Sequence, residues 1–599
     1  MRKYCLLSML LWWGFTTASY AVGADGVQPD AADVRVLIDI SGSMKKNDPN
    51  NLRRPALRLL VGLLPEDSRA GVWTFGQYVN MQVPLGKVDK AWKARAADGA
   101  AKIHSRGLFT NIEDVIKRSS ADWSGAPAKY RRHMVLLTDG MVDISKDPAL
   151  NTASRSRVLE QSLPRLKELG VKVHTIALSA RADHELMRTL SQETGGWYEQ
   201  VEDVAQLQRV FLRIFEKVGR PDALPLKDNR FTVDKSIEEA TLLVFRAAEG
   251  KPTRVIPPSG ESFDSSATPS NVSWHRDVGY DLVTITKPQA GEWRIEAALD
   301  PDNRVLVVTD LKMHATELPG QLIAGEQQGL SVHFSNKGEL VTKKSFLKKL
   351  SLKGEQIDDG GPKEPRPLFD DGEGADEAEG DGYFTLLVGE GLAAGKAELI
   401  LRVEGATFQR EQHQTFELLP PVLVETLQEA SGEGPATVRI TPAPGLLDNE
   451  TLQLKASLVS GDAEPMPVMF LPGTLGGSWE VQVDPSLLTG DWNMGIHLTA
   501  TTAAGNALAL DLEPLPFVGT MEPEPVVEVQ EAAPIVEPPA PKPIPETVEQ
   551  DWLMDAGIFG GANMLLLLLA AAGIWLSRRH GSRTLPRLLV VNEEEAVAQ

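Results

Sequence analysis

Between residues 33 and 218 the chain alternates short apolar runs with amphipathic stretches of helical period. Val34 to Ile40, His133 to Leu137 and Val171 to Leu178 read as buried strands. Gly71 to Phe75 and Val79 to Pro84 read as two further strands, consistent with a hairpin. Leu52 to Leu64, Asn111 to Ser120, Val158 to Leu169 and Ala205 to Val218 read as helices. The last places Leu207, Val210, Phe211, Ile214, Phe215 and Val218 on one face. This alternation predicts an α/β doubly wound domain, a mostly parallel sheet covered by helices on both faces.

After Arg220 helical periodicity fades, and short strand patterns punctuated by Gly, Pro and Asp take over. Residues 225–310 carry Ala240 to Phe245, Asp281 to Thr286 and Trp293 to Ala298. Residues 311–420 carry Ser331 to Phe334, Tyr383 to Val388 and Glu398 to Val403. Residues 421–519 carry Thr437 to Ile440, Thr451 to Leu458, Trp479 to Val483 and His497 to Thr501. Each block has the size of one β-sandwich, so the chain is multidomain, with about three all-β sandwiches after the α/β domain. Residues 520–550, rich in Pro and Glu, read as an extended linker.

The two ends carry targeting patterns. Residues 1–24 read as a signal peptide: Arg2 and Lys3, an apolar core from Leu6 to Phe15, then cleavage after Ala21 or Ala24. The competing reading is an uncleaved anchor. Residues 556–576 are uncharged, long enough for one transmembrane helix, and followed by Arg578, Arg579, Arg583 and Arg587. The positive-inside rule places the tail, 577–599, in the cytoplasm and the bulk of the chain outside. The predicted location is therefore the inner (cytoplasmic) membrane, single-pass, with most of the chain in the periplasm or at the cell exterior.

Composition sharpens this picture. Of 599 residues, 61 are Lys or Arg and 82 are Asp or Glu, a net charge of -21 that argues against a nucleic-acid partner. The charge is uneven. Residues 26–220 hold 30 basic and 23 acidic residues, a net of +7, whereas residues 221–599 carry -29. The only cysteine, Cys5, lies in the predicted signal peptide, which excludes a disulfide framework and a cysteine-ligated zinc site.

The candidate chemistry lies at strand ends. The first strand closes in Asp39-Ile40-Ser41-Gly42-Ser43, another in Leu137-Thr138-Asp139-Gly140, and between them a loop holds Leu108-Phe109-Thr110-Asn111. Open α/β sheets bind ligands at this edge. Two carboxylates and three hydroxyls make an all-oxygen shell suited to Mg²⁺, Mn²⁺ or Ca²⁺ rather than zinc or copper. A cation with so few anionic ligands stays electrophilic and can accept a carboxylate from another molecule.

With this motif, residues 33–218 resemble a von Willebrand factor A, or integrin I-like, domain. Asp39, Ser41, Ser43, Thr110 and Asp139 match the five positions of its metal-ion-dependent adhesion site. The resemblance implies direct coordination by Ser41, Ser43 and Thr110, with Asp39 and Asp139 acting directly or through water. It also implies that a Glu or Asp of a protein ligand completes the shell, and that displacement of helix 205–218 could couple to affinity. The chain as a whole resembles bacterial, membrane-anchored proteins with an Ig-like stalk. The acidic stretch Phe369 to Phe384 lacks the register of an EF-hand loop and resembles a turn of bacterial Ig-like modules; it reads as a solvated loop, with calcium binding as the competing reading. The Pro288-to-Trp293 segment reports fold and not activity.

The expected function is metal-dependent protein binding, as an adhesion or scaffold receptor. The acidic stalk itself is one candidate to mask the site. The alternative is a subunit of an envelope maturation or chaperone-like assembly. No G-x-S-x-G, H-E-x-x-H or Walker loop occurs, so no catalytic residue is assigned and a hydrolase is the weakest reading.

Overall fold

The computed structural model describes residues 31–520 except 126–128, 204–205, 247–249, 428–433, 462–463 and 475–476. The predicted signal peptide, transmembrane helix and tail, and all but the first residue of the predicted linker, lie outside the described residues. Among the described residues no helix is long and apolar enough to cross a membrane.

The N-terminal head is built from β1 (Ala32–Asp39), α1 (Met44–Asn47), α2 (Arg53–Leu63), β2 (Arg69–Phe75), β3 (Val79–Lys87), α3 (Lys90–Ala101) and α4 (Ile112–Ser119). It continues with β4 (Arg131–Thr138), α5 (Pro148–Arg157), α6 (Leu163–Glu168), β5 (Val171–Ala177), α7 (His184–Gln192), β6 (Tyr198–Gln200) and α8 (Leu207–Gly219). The sheet order is β3-β2-β1-β4-β5-β6, parallel except for the β2–β3 hairpin. Alternate residues of the central strands enter two cores. Val34, Val36 and Ile38 pack with α2, α3 and α8, while Leu37, Met134 and Leu136 pack with α4, α6 and α7.

Several elements escape the sequence pattern, the four-residue α1 among them. Helix α3 is alanine-rich with a weak apolar stripe and starts where the Asp89 carboxylate accepts the Trp92 N–H at 2.6 Å. Helix α7 and the three-residue strand β6 are short. The predicted helix 158–169 begins ten residues earlier, at Pro148, and passes through a π turn at 158–162. The turn immediately precedes α6, where Pro164 lacks the N–H an α-helix needs.

The predicted strand patterns after Arg220 all fall on strands, but the ladder crosses the expected 310/311 boundary. The two-residue strand Asp222–Ala223 pairs with Arg304–Thr309 on one side and Gln409–Leu419 on the other. An eleven-stranded sheet thereby runs through both blocks. Three apolar clusters remain distinct, spanning 224–307, 313–418 and, with Ile323, 422–517. Trp293 is buried, stacks on Phe231 and donates to the Gln289 carbonyl at 2.8 Å.

The stalk covers the outer side of α8. The apolar face predicted for this helix is buried in the head, and Gln208, Glu216 and Lys217 are buried as well. Gln208 donates to the Val278 carbonyl at 2.6 Å, Arg209 pairs with Asp300 and Asp302, and Arg304 pairs with Glu216 at 2.8 Å. From α2, Arg58 pairs with Asp277, and the Pro55 carbonyl accepts the Tyr280 hydroxyl at 3.2 Å. At the start of β4 and β5, Glu317 meets Lys172 at 2.9 Å and Arg220. Beside it the Gly320 backbone lies so close to Gly196 that a Cβ would stand 1.8 Å from the Gly196 oxygen.

His413 lies in this junction, 2.7 Å from Glu398 and 3.2 Å from Glu411. Burial and Arg304 oppose its charge, but hydrogen bonds to the two carboxylates prevail and raise its pKa to about 9. The folded chain therefore holds this proton more tightly than the unfolded chain, where the pKa is about 6.5. Its stabilisation is full below about pH 6.5 and is lost as pH rises towards 9. The melting temperature is expected to fall over that interval, and His413→Gln to flatten the slope, as calorimetry across pH would show.

Candidate metal centre

The five candidate residues come from three loops, those that follow β1 and β4 and the one that leads from α3 into α4. Strand β1 delivers Asp39, whose Oδ1 accepts the Ser41 N–H at 2.7 Å and whose Oδ2 accepts the Thr138 hydroxyl at 2.6 Å. Ser43 stands at the N-cap of α1. Its hydroxyl lies 2.9 Å from the Ser41 Oγ and donates to Asp139 Oδ1 at 2.8 Å. Ser41 Oγ is 3.4 Å from the same carboxylate oxygen. Asp39, Ser41, Thr110 and Asp139 are buried, whereas Ser43 is exposed, so the cluster opens to solvent on the Ser43 side.

Thr110 arrives separately. Its backbone pairs with Asp143 in both directions, at 2.6 and 3.1 Å. Its Oγ1 faces Gly140, 3.5 Å from where a Cβ would lie. Among the described residues its hydroxyl has no hydrogen bond to the other four. The loop before it is pinned where the Gly107 N–H donates to the Ile40 carbonyl at 2.7 Å. A Cβ at Gly107 would stand 2.9 Å from that oxygen, so only glycine fits without a shift. Phe109 adopts a left-handed φ of 61°, an uncommon state for a non-glycine residue that recurs at ligand-binding loops.

Several supporting residues carry no local sequence signal. Arg53 is fully buried and joins three segments of the site. Its guanidinium donates to the Asp39 carbonyl at 2.5 Å, Asp48 at 2.6 Å, Ser105 Oγ at 2.7 Å and Asn51 Oδ1 at 3.1 Å. Asn47 donates to Asp139 Oδ2 at 2.8 Å. In sequence Arg53 looks like an ordinary first-turn helix residue, and only the three-dimensional closure of the loops reveals it.

The donor set fits a small hard cation. Ligands at adjacent corners of an octahedron about 2.1 Å from its centre lie roughly 3 Å apart. The separations among Ser41, Ser43 and Asp139 oxygens are 2.9, 2.8 and 3.4 Å. Asp39 is pushed up to about 6, chiefly by burial; the Thr138 hydrogen bond opposes this and the Asp139 charge adds to it. Two carboxylates so placed disfavour double ionisation, a strain that a divalent cation would relieve.

The stalk's acids engage the head elsewhere. Among the described residues no hydrogen bond or ion pair joins the stalk to any of the five. Asp277, Asp300, Asp302 and Glu317 instead meet Arg58, Arg209, Lys172 and Arg220. In the acidic loop, Asp370, Asp376 and Asp381 bring carboxylate oxygens within 4.8 Å of one another. Asp370 accepts the N–H groups of Gly380, Asp381 and Gly382, and Asp376 that of Gly372, so these carboxylates organise the turn itself.

A doubly wound sheet with an all-oxygen loop cluster at its strand ends defines a class of ligand-binding domain. Residues 33–213 match the family model of the von Willebrand factor type A domain, and the N-terminal head is such a domain. The chain is 24% identical over 428 residues to calcium-activated chloride channel regulator 1 of Bos taurus, covering 65% of this chain and 44% of the relative. It is 22% identical over 191 residues to a von Willebrand factor A domain-containing protein of Dictyostelium discoideum, covering 31% and 19%. The chain thus spans less than half the length of the curated relatives it matches. Among solved structures, a von Willebrand factor type A protein from Catenulispora acidiphila is similar at 14% identity, covering 56% of this chain and 65% of that chain, with a TM-score of 0.27. Proximal thread matrix protein 1 from the mussel byssus, with a zinc-occupied site, is similar at 17% identity, covering 34% and 51%, with a TM-score of 0.27.

Proposed function

We propose that this chain is a membrane-anchored protein-binding receptor, of adhesion or scaffold type, on the exported face of a bacterial inner membrane. It captures an Asp or Glu of a partner protein through Mg²⁺, or Mn²⁺ or Ca²⁺, held by Asp39, Ser41, Ser43, Thr110 and Asp139. The observation that carries this reading is the convergence of the Ser41, Ser43 and Asp139 oxygens at a solvent-facing corner of the head. A bound cation supplies an electrophilic position for the incoming carboxylate. The chain's own part is positional: Thr138 and the Ser41 N–H fix Asp39, and Asn47 fixes Asp139.

Capture by the full chain in detergent, read by mass spectrometry, tests the reading. Partners retained in Mg²⁺ are expected to be lost with chelator and with Asp139→Ala. Equal recovery in all three conditions would overturn it.

A further inference from the structure

The rim of the site is apolar where solvent-facing loops are ordinarily polar. Among the described residues of the head, the most exposed large apolar side chains are Tyr78, Leu108 and Met141, at 72%, 67% and 60%. Leu108 precedes Thr110 by two residues and Met141 follows Asp139 by two, so both flank candidate ligands. Tyr78 lies in the β2–β3 turn, and the same turn carries Gly76, whose Cβ position is 3.1 Å from the Leu108 carbonyl oxygen.

These side chains sit on loops that are tied down. Leu108 lies between Gly107, bonded to Ile40, and Thr110, bonded to Asp143. Met141 lies between Asp139 and Asp143, the residue that closes the Thr110 bridge. The Gly76 N–H donates to the Tyr78 carbonyl at 3.2 Å, and the Gly76 carbonyl accepts the Asn111 N–H at 3.1 Å. Apolar groups held in place and left in water lose little entropy when covered, which is how contact hot spots are built. The neighbouring loops add positive charge: Lys45 and Lys46 are exposed two and three residues after Ser43, and Arg106 and Arg181 are exposed nearby in sequence to Gly107 and Ser179. Ser179 itself bonds the Asp139 carbonyl at 2.5 Å.

We infer that this rim selects the residue beside the captured carboxylate: the partner presents an acidic loop in which a bulky apolar side chain lies within two positions of the metal-bound Asp or Glu. The carboxylate alone would be common to any acidic surface, whereas an apolar neighbour seated on Leu108, Met141 and Tyr78 distinguishes one acidic loop from another. The inference rests on the metal-capture reading above.

The test pans a displayed library of random constrained peptides against the full chain in detergent, with Mg²⁺ and with chelator. Peptides enriched only in Mg²⁺ are expected to pair Asp or Glu with Leu, Ile, Met or Phe within two positions. A recovered peptide is expected to bind the Leu108→Ser/Met141→Ser variant at least tenfold more weakly, while that variant binds Mn²⁺ like the parent chain. Mg²⁺-dependent peptides without an apolar neighbour, or unchanged affinity for the variant, would overturn the rim's role and leave metal capture standing. No Mg²⁺-dependent enrichment would overturn metal capture itself. Mg²⁺-independent binding to phosphatidylglycerol vesicles, lost in the same variant, would overturn the inference in favour of a lipid surface.

Discussion

Replacing Glu317 by Gln is expected to destabilise the chain by about 3–5 kcal/mol, the range for breaking a buried charge cluster from one side. The Glu317 side chain is 7% exposed and meets Lys172 and Arg220. Burial disfavours its charge, yet Lys172, Arg220, His133 and Arg131 hold its pKa well below the usual carboxylate range. Lys217 is buried in the same cluster, lowered to about 8 by burial with Glu317 opposing. Gln keeps the shape and removes the Glu317 charge, so several cations lose that counterion in a poorly solvated space. Calorimetry should show the melting temperature falling by roughly 6–12 °C. A second substitution, Lys217→Met, should restore part of the loss, because it removes a buried charge that then has no counterion. A shift under about 2 °C would contradict this account of the junction.

The same junction sets an acid limit. His133 and His174 stack, 3.1 Å apart between ring nitrogens. Burial lowers both pKa values, that of His174 to about 3. The unfolded chain takes up these protons first, so stability falls as pH drops from about 6.5 towards 3.

Arg53→Ala is expected to have the second largest effect. Arg53 and Asp48 are both fully buried and paired at 2.6 Å. Truncation leaves the Asp48 carboxylate without its counterion and strips a donor from the Asp39 carbonyl and from Ser105 Oγ. The expected cost is about 3–5 kcal/mol, measured by denaturant unfolding. Arg53→Lys should recover little, because a point-charge ammonium cannot serve four acceptors in a planar fork. Since Arg53 also fixes the Asp39 end of the site, cation affinity should fall at least tenfold in whatever fraction remains folded. Full stability with Lys in place would contradict the role assigned to the guanidinium.

What could be read from the sequence was local. Strands β1, β4 and β5 announce themselves because consecutive apolar residues face two cores, and Asp39, Ser41 and Ser43 share one loop. Elements whose signal is weak or short, such as α3 and β6, did not. Nor did anything that depends on distant partners. Arg53 reaches Ser105, and Glu317 reaches Lys172. The sheet that crosses the 310/311 boundary turns on two residues, Asp222 and Ala223, with no pattern of their own. The basic head and acidic stalk do attract, but through Arg58, Arg209, Lys172 and Arg220, away from the strand-end site. The buried polar side of α8 shows the same limit: Gln208, Glu216 and Lys217 look solvent-facing in sequence because their stalk partners lie far along the chain.

The most direct test of the central claim is a Mn²⁺ titration of the full chain, followed by electron paramagnetic resonance of the free ion. It is run beside the Ser41→Ala/Ser43→Ala variant, which keeps every carboxylate, including those of the acidic loop. The account predicts one fewer tightly bound Mn²⁺ in the variant; superimposable titrations would contradict it.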